Sequence, residues 1–301
     1  MEELAINGGK PASPKLLGYG HQDINEDDIK AVADCLRSDY LTCGPATEAF
    51  EESIKEATGA EFVTAVANGT AALHVACLAA GIKPGDEVIV SPITFAASAN
   101  CVRYCGATPV FADIDPKTWN IDPASIRERL TDKTKAVVAV DFGGVHVDSD
   151  EIRKICDEHN LTFIEDAAHA MGTCHNGRAV GSIADITTFS FHPVKTITTG
   201  EGGAVATNNP ELGKMVELYA KHGITRDRDL MREKDQGGWY YEQLVLGYNY
   251  RISDIEASLG TSQMRRLKQF GDRRKRLVAF YNEQFAGVPE VQFQVDATPE
   301  D

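Results

Sequence analysis

The chain has 301 residues, 43% hydrophobic and 25% charged, a balance that excludes a disordered chain and leaves room for one large α/β domain or two ordinary ones. Thirty basic residues against forty-five acidic ones give a net charge of −15, a poor match for nucleic acid as a partner. Seven scattered cysteines, an N-terminus without a basic and then apolar leader, and no run approaching about eighteen apolar residues point to a reduced, soluble, cytoplasmic protein without a membrane span.

The first forty-five residues read as irregular apart from a short helical stretch near Asp27–Ser38. From Thr47 the chain alternates between strand-like and helix-like segments. Glu61–Ala67 reads as a strand and Thr70–Ala80 as a buried helix; Glu87–Ser91 is a second strand, followed by an apolar helix over about Ala96–Cys105. Pro109–Asp113, Ala136–Asp141 and Thr162–Asp166 are short apolar runs ending at or near acids, the pattern of strands buried on both faces. An amphipathic helix, Asp150–His159, separates the last two. Ile186–Phe191 and Gly203–Thr207 continue the strand series, and one long helix is expected from Ser253 to about Phe285. This order implies a mostly parallel sheet covered by helices on both faces, with ligands beyond the carboxyl ends of the strands.

Three segments carry residues suited to chemistry. Asn68-Gly69-Thr70 places a glycine and a hydroxyl at a strand-to-helix turn, where backbone N–H groups and the helix dipole suit a phosphate; an ordinary helix cap is the alternative. Glu165-Asp166 closes an apolar strand, and a buried carboxylate there needs a partner such as a protonated ring nitrogen. Lys195 lies between the apolar Ser190-Phe191 and the glycine-rich Thr198–Gly203. A partly desolvated lysine in that setting lowers its pKa and can form a Schiff base with a carbonyl. Together these are the parts that pyridoxal phosphate requires of a protein.

NGTAALH, SPITFAASAN, GATPVFADID, IEDAAHAMG, FSFHPVKTITTGEGGAV, HGITRD and GYNYRISDIEASLG follow one another in the chain. Through these motifs, from about Gly18 to Phe285, it resembles the DegT/DnrJ/EryC1/StrS family of nucleotide-sugar aminotransferases, which use pyridoxal phosphate (PLP). The resemblance implies a fold-type I, aspartate aminotransferase-like α/β architecture. Residues 1–45 would line the active site, 46–252 would form the large PLP-binding domain, and 253–301 would supply a long helix and the start of a small C-terminal domain that stops early.

It also implies roles. Lys195 carries the Schiff base and shuttles the proton, and Asp166 pairs with the ring nitrogen. The backbone N–H groups of Thr70 and Ala71, with the Ser190 hydroxyl, hold the phosphate, and Phe95 stacks on the ring. Asn249 reaches the phosphate of a neighbouring subunit, so the active site belongs to a homodimer. His169 stands beside the phenolic oxygen where most relatives carry Gln. FSFHPVK, that histidine and the insertion Asp227–Tyr240 look closest to the family branch that serves pseudaminic acid biosynthesis. That branch implies transfer from an amino acid, glutamate by analogy, to C4 of a UDP-linked 4-keto-6-deoxy-N-acetyl sugar. Tyr19, His21 and Thr42 match segments that line substrate pockets in relatives.

Other 3- or 4-aminotransferases acting on dTDP-, UDP- or GDP-keto-sugars are the alternatives, along with a non-catalytic regulatory member that binds the cofactor. A family subset that dehydrates sugars has histidine in place of the lysine, so Lys195 favours transamination. No metal site is expected, because Cys101/Cys105 and Cys174-His175 lack a second half at zinc spacing. The basic run from Arg265 to Arg276 reads as the solvated face of an amphipathic helix.

Overall fold

The computed structural model describes residues 3–16, 18, 20–234 and 236–295. The central sheet contains β1 (Phe62–Val66), β2 (Glu87–Val90), β3 (Thr108–Phe111), β4 (Thr134–Val140), β5 (Thr162–Asp166), β6 (Ile186–Ser190) and β7 (Gly203–Thr207). Their spatial order is β1-β7-β6-β5-β4-β2-β3. Pairing is parallel from β3 through β2, β4 and β5 to β6, whereas β7 runs antiparallel to both of its neighbours. The helices are α1 (Glu26–Leu36), α2 (Pro45–Thr58), α3 (Gly69–Ala79), α4 (Ala97–Tyr104), α5 (Pro123–Glu128), α6 (Ser149–His159), α7 (Pro210–Ala220), α8 (Asp254–Met264) and α9 (Leu267–Phe285). Among the described residues no helix is long and apolar enough to cross a membrane.

The two-residue period of the strands sorts their side chains into two apolar layers. Ala136, Val138 and Ile164 pack with α3, α4 and α7 on one face. Val137, Ala139 and Phe163 pack on the other with Ile152 and Ile155 of α6. Further along that second face, Phe50 and Ile54 of α2 meet Phe189 and Ala257. The same alternation carries to the end of β5, so Glu165 and Asp166 project to opposite faces of the sheet.

Helices α5 and α7 fall where the sequence pattern marks no element, and two further stretches depart from the expected ones. Residues 45–58 form the full helix α2: Pro45 pre-sets its first turn, Phe50 and Ile54 share one buried face, and Gly59 ends it in a left-handed conformation. The expected single helix from Ser253 is two helices. Ser253 and Glu256 form a reciprocal cap at the start of α8, and the chain turns at Arg265-Arg266 before α9 begins. Arg266 explains the break, because its guanidinium reaches back to Asp23 Oδ1 at 2.7 Å and to buried Asp28 Oδ2 at 2.6 Å.

Candidate active site

Beyond the carboxyl ends of β4, β5 and β6, against the N-terminus of α3, lies a cavity of about 840 Å³. Thr70, Ala71, Phe95, Asp166, His169, Ser190 and Lys195 all border it, though their sequence positions span more than a hundred residues. The sheet order brings them together: β5 supplies Asp166, its neighbour β6 supplies Ser190, and the turn after β1 supplies Asn68–Thr70.

Asn68 caps α3 by accepting the Ala71 N–H at 2.8 Å. Ala71 also borders the cavity, with its N–H donated to this cap. The N–H groups of Gly69 and Thr70 are left as the first two donors of the helix. Ser190 packs directly on this turn, since a Cβ on Gly69 would lie 2.8 Å from Ser190 Cβ and 3.1 Å from its Oγ. Gly203 at the start of β7 is equally constrained, because a Cβ there would sit 2.6 Å from the Asn68 carbonyl. These glycines let two backbones and a hydroxyl close around a helix N-terminus, and the resulting cradle fits a phosphate.

Asp166 is 5% exposed. Its Oδ2 accepts the Ser98 hydroxyl at 2.6 Å and its Oδ1 the Ala168 N–H at 3.2 Å. Burial raises its pKa above the usual carboxylate range, while these two donors and the charge of Lys195 pull it back. Lys195 follows β6 in a tight turn, its N–H bonded to the His192 carbonyl at 2.9 Å. Burial lowers the Lys195 pKa, and the nearby Asp166 opposes that shift. His169 is pushed down to about 4, first by burial and then by Lys195, so it is neutral at ordinary pH. Its Nδ1 accepts the Gly143 N–H at 3.2 Å, which places the ring proton on Nε2. Phe95 is 76% exposed on the cavity wall.

The opposite face of β5 holds a sealed group. Glu165 Oε1 lies 3.1 Å from His146 Nε2, and Glu165 Oε2 accepts the Thr187 hydroxyl at 2.9 Å. Asp141 Oδ1 accepts the Val147 N–H at 3.0 Å, and the backbone N–H of Asp141 binds the Asp166 carbonyl at 3.2 Å. The His146–Glu165 contact is an ion pair rather than an aligned hydrogen bond, since neither atom has a partner of good geometry. Burial alone would lower the His146 pKa; Glu165 and Asp141 outweigh it and hold the imidazole up to about 9. The expectation of no metal site overlooked this cluster, whose ligating atoms lie within 4.8 Å of one another. The imidazolium supplies the counter-charge there.

Among the described residues, Asn249, Thr42 and His21 do not line the cavity. Asn249 is exposed and pairs with Lys221 in an isolated bridge. Thr42 is exposed and bridges Ser253. His21 is exposed next to Gly20, which packs on Val194 beside Lys195, and Tyr19 lies outside the described residues. Sequence reasoning missed Ser98 and Thr94 (four apart within SPITFAASAN) as well as His74 and Tyr250, whose ring nitrogen and hydroxyl meet at 3.1 Å on the cavity wall. It also gave no tertiary role to Arg274, which lies on the exposed face of α9. The Arg274 guanidinium donates to the Lys195 carbonyl at 2.8 Å and the Thr196 carbonyl at 3.3 Å, tying α9 to the lysine turn.

Residues 22–301 match the model of the DegT/DnrJ/EryC1/StrS aminotransferase family. The chain belongs to this family. It is 39% identical over 273 residues to the UDP-4-amino-4,6-dideoxy-N-acetyl-beta-L-altrosamine transaminase of Campylobacter jejuni, covering 90% of this chain and 70% of that protein. It is also 39% identical over 276 residues to the GDP-perosamine synthase of Caulobacter vibrioides, covering 91% and 69%. Its fold superposes with a TM-score of 0.83 on the PLP form of a sugar aminotransferase from Streptococcus pneumoniae, 32% identical, over 90% of this chain and 72% of that one. Aminotransferases of this family use pyridoxal phosphate, and the cradle, carboxylate and lysine described above fit that group.

Proposed function

We propose that this chain transfers an amino group from an amino acid, with glutamate as donor, to C4 of a UDP-linked 4-keto-6-deoxy-N-acetyl sugar, as in pseudaminic acid biosynthesis. The observation that carries the reaction class is the convergence of a half-buried lysine, a buried carboxylate and a helix N-terminus on one cavity. When bound, pyridoxal phosphate supplies an electrophilic carbon and a ring that takes up electron density. The protein's residues do the rest. Gly69 and Thr70 N–H groups with the Ser190 hydroxyl would hold the phosphate, and Asp166 would face the ring nitrogen. His169 Nε2–H would donate to the ring oxygen, and Phe95 would offer an aromatic face.

Lys195 Nζ is the nucleophile and then the base that takes and returns the proton. Desolvation favours both tasks, because it raises the neutral fraction of the amine near neutral pH. Kinetics should be ping-pong, with donor and acceptor using the cavity in turn. The C4 and UDP assignment draws on the altrosamine transaminase relative and on the insertion Asp227–Tyr240. Asn249 is exposed and does not line its own cavity, which supports a homodimer in which each chain lends it to the other site. On the same reading, residues 46–252 are the cofactor domain and 253–301 belong to a smaller one. A panel of UDP-, dTDP- and GDP-linked 4-keto and 3-keto sugars, with product analysis by mass spectrometry and NMR, tests the acceptor. Preferred amination of the UDP-linked 4-keto sugar is expected. A preference for GDP-linked 4-keto sugars would move the enzyme to the perosamine-type reaction.

A further inference from the structure

Asp166 has a supporting layer that none of its motif neighbours advertises. Ser98 stands in the first turn of α4, fully buried, with its N–H bonded to the Phe95 carbonyl at 3.1 Å and its carbonyl accepting the Cys101 thiol at 3.2 Å. Its Oγ lies 2.6 Å from Asp166 Oδ2 on one side and 2.7 Å from Thr94 Oγ1 on the other. The proton directions follow from chemistry. An ionised carboxylate only accepts, so the single Ser98 hydroxyl proton points at Asp166, and Thr94 must therefore donate to Ser98. The result is a one-way chain, Thr94 to Ser98 to Asp166, whose outer end borders the cavity beside Phe95.

We propose that Ser98, backed by Thr94, is the positioning residue that keeps the Asp166 carboxylate ionised and aimed at the ring nitrogen of the bound cofactor. The inference rests on the assignment of Asp166 made above. The physical need comes from burial, which favours the neutral acid at this position. A neutral acid cannot act as counter-charge to a protonated ring. The charged and titratable groups around Asp166 are Lys195 and His169 on the cavity side, with Glu165, Asp141 and His146 behind the strand. Lys195 cannot be a standing counter-charge, because its nitrogen is the reacting group. His169 is neutral, and His146 is already engaged with Glu165. Fixed donors must therefore do the holding. The Ala168 N–H is one, and Ser98 makes the shorter bond. Hydrogen bonds to charged groups are stronger than neutral ones, and a donor polarised by a second hydroxyl is stronger again.

The test uses the full chain carrying Ser98→Ala, Thr94→Val, Thr94→Ser or Asp166→Ala. Two quantities are read: the dissociation constant of apo-enzyme for pyridoxal phosphate, and the pH dependence of the visible absorption of the loaded protein. Ser98→Ala should weaken cofactor binding by roughly tenfold or more. It should also move the acid limb of the visible titration to higher pH, because removing the donor favours protonation of Asp166. Thr94→Val should move both readings in the same direction by less, and Thr94→Ser, which keeps the hydroxyl, should restore them. Wild-type affinity and an unmoved acid limb in both Ser98→Ala and Thr94→Val, with Asp166→Ala impaired, would overturn the relay and leave the Asp166 assignment intact. If Asp166→Ala also matched wild type, both would fall.

Discussion

Glu165 and Asp166 are consecutive, both buried, and separated by the thickness of one strand, yet their surroundings differ in kind. Behind β5, Glu165 meets an imidazolium and a threonine hydroxyl inside a sealed group that also contains Asp141. In front, Asp166 meets two hydrogen-bond donors and an open cavity, and the cation acting on it is Lys195, the lysine proposed above to react. The first carboxylate has its counter-charge built in, and the second keeps a place for one. A strand with a two-residue period thus turns one of two neighbouring acids into a sealed structural group and the other to the cavity, where the proposed reaction would use it.

This contrast predicts that changes on the two faces fail in different ways. The largest effect belongs to the cavity side. Lys195→Ala should abolish the visible absorption of the loaded protein and reduce turnover by about 10²–10⁴-fold or more, while the apo-protein keeps its melting temperature. Asp166→Ala should follow, with a loss of about a hundredfold or more in steady-state turnover. On the sealed side, His146→Gln strands Glu165 and Asp141 without a cation. It should cost about 3–5 kcal/mol in denaturant unfolding and leave turnover of the folded fraction close to wild type. Equal damage to stability from Lys195→Ala and His146→Gln would erase the distinction.

The smallest effects appear as pH dependence, and the two histidines, His146 behind the strand and His169 in front, have opposite signs. His146 titrates at about 9 in the fold against roughly 6.5 in the unfolded chain, so its stabilisation is complete below pH 6.5 and fades as pH rises to about 9. Asp141, whose pKa burial raises, acts in the same direction. His169 is depressed to about 4, so its contribution is complete above pH 6.5 and is lost as pH falls to about 4. Urea denaturation across that range should show His146→Gln flattening the alkaline decline and His169→Gln flattening the acid one.

Much of this was legible in the sequence, for identifiable reasons. β1, β2, β4 and β5 announce themselves as apolar runs bounded by turns or acids, and each is buried on both faces. Lys195, Asp166 and the Asn68–Thr70 turn stand in ordered motifs, and the sheet order brings all three to one cavity. What was not legible depends on side-chain direction or on contacts between distant residues. Nothing local marks Ser98 as the partner of Asp166, sixty-eight positions away. Arg266 and Arg274 sit in a charge run that looks solvated, yet one ends a helix on Asp28 and the other holds the Lys195 turn. The Asn68 cap uses the very N–H of Ala71 that the motif suggested for phosphate. A helix written as Ser253–Phe285 breaks at Arg266 because a tertiary ion pair overrides the local periodicity.

On the proposed function, this cavity moves nitrogen from an amino acid to a sugar ketone through Lys195. The most direct measurement supplies PLP-loaded protein with glutamate labelled isotopically at nitrogen, together with a UDP-linked 4-keto-6-deoxy-N-acetyl sugar, and follows the label by mass spectrometry. The label should appear on the sugar with wild type and be absent with Lys195→Ala. Labelled amino-sugar formed equally well by Lys195→Ala, or none formed by wild type with any keto-sugar of the panel while it binds the cofactor, would contradict the account.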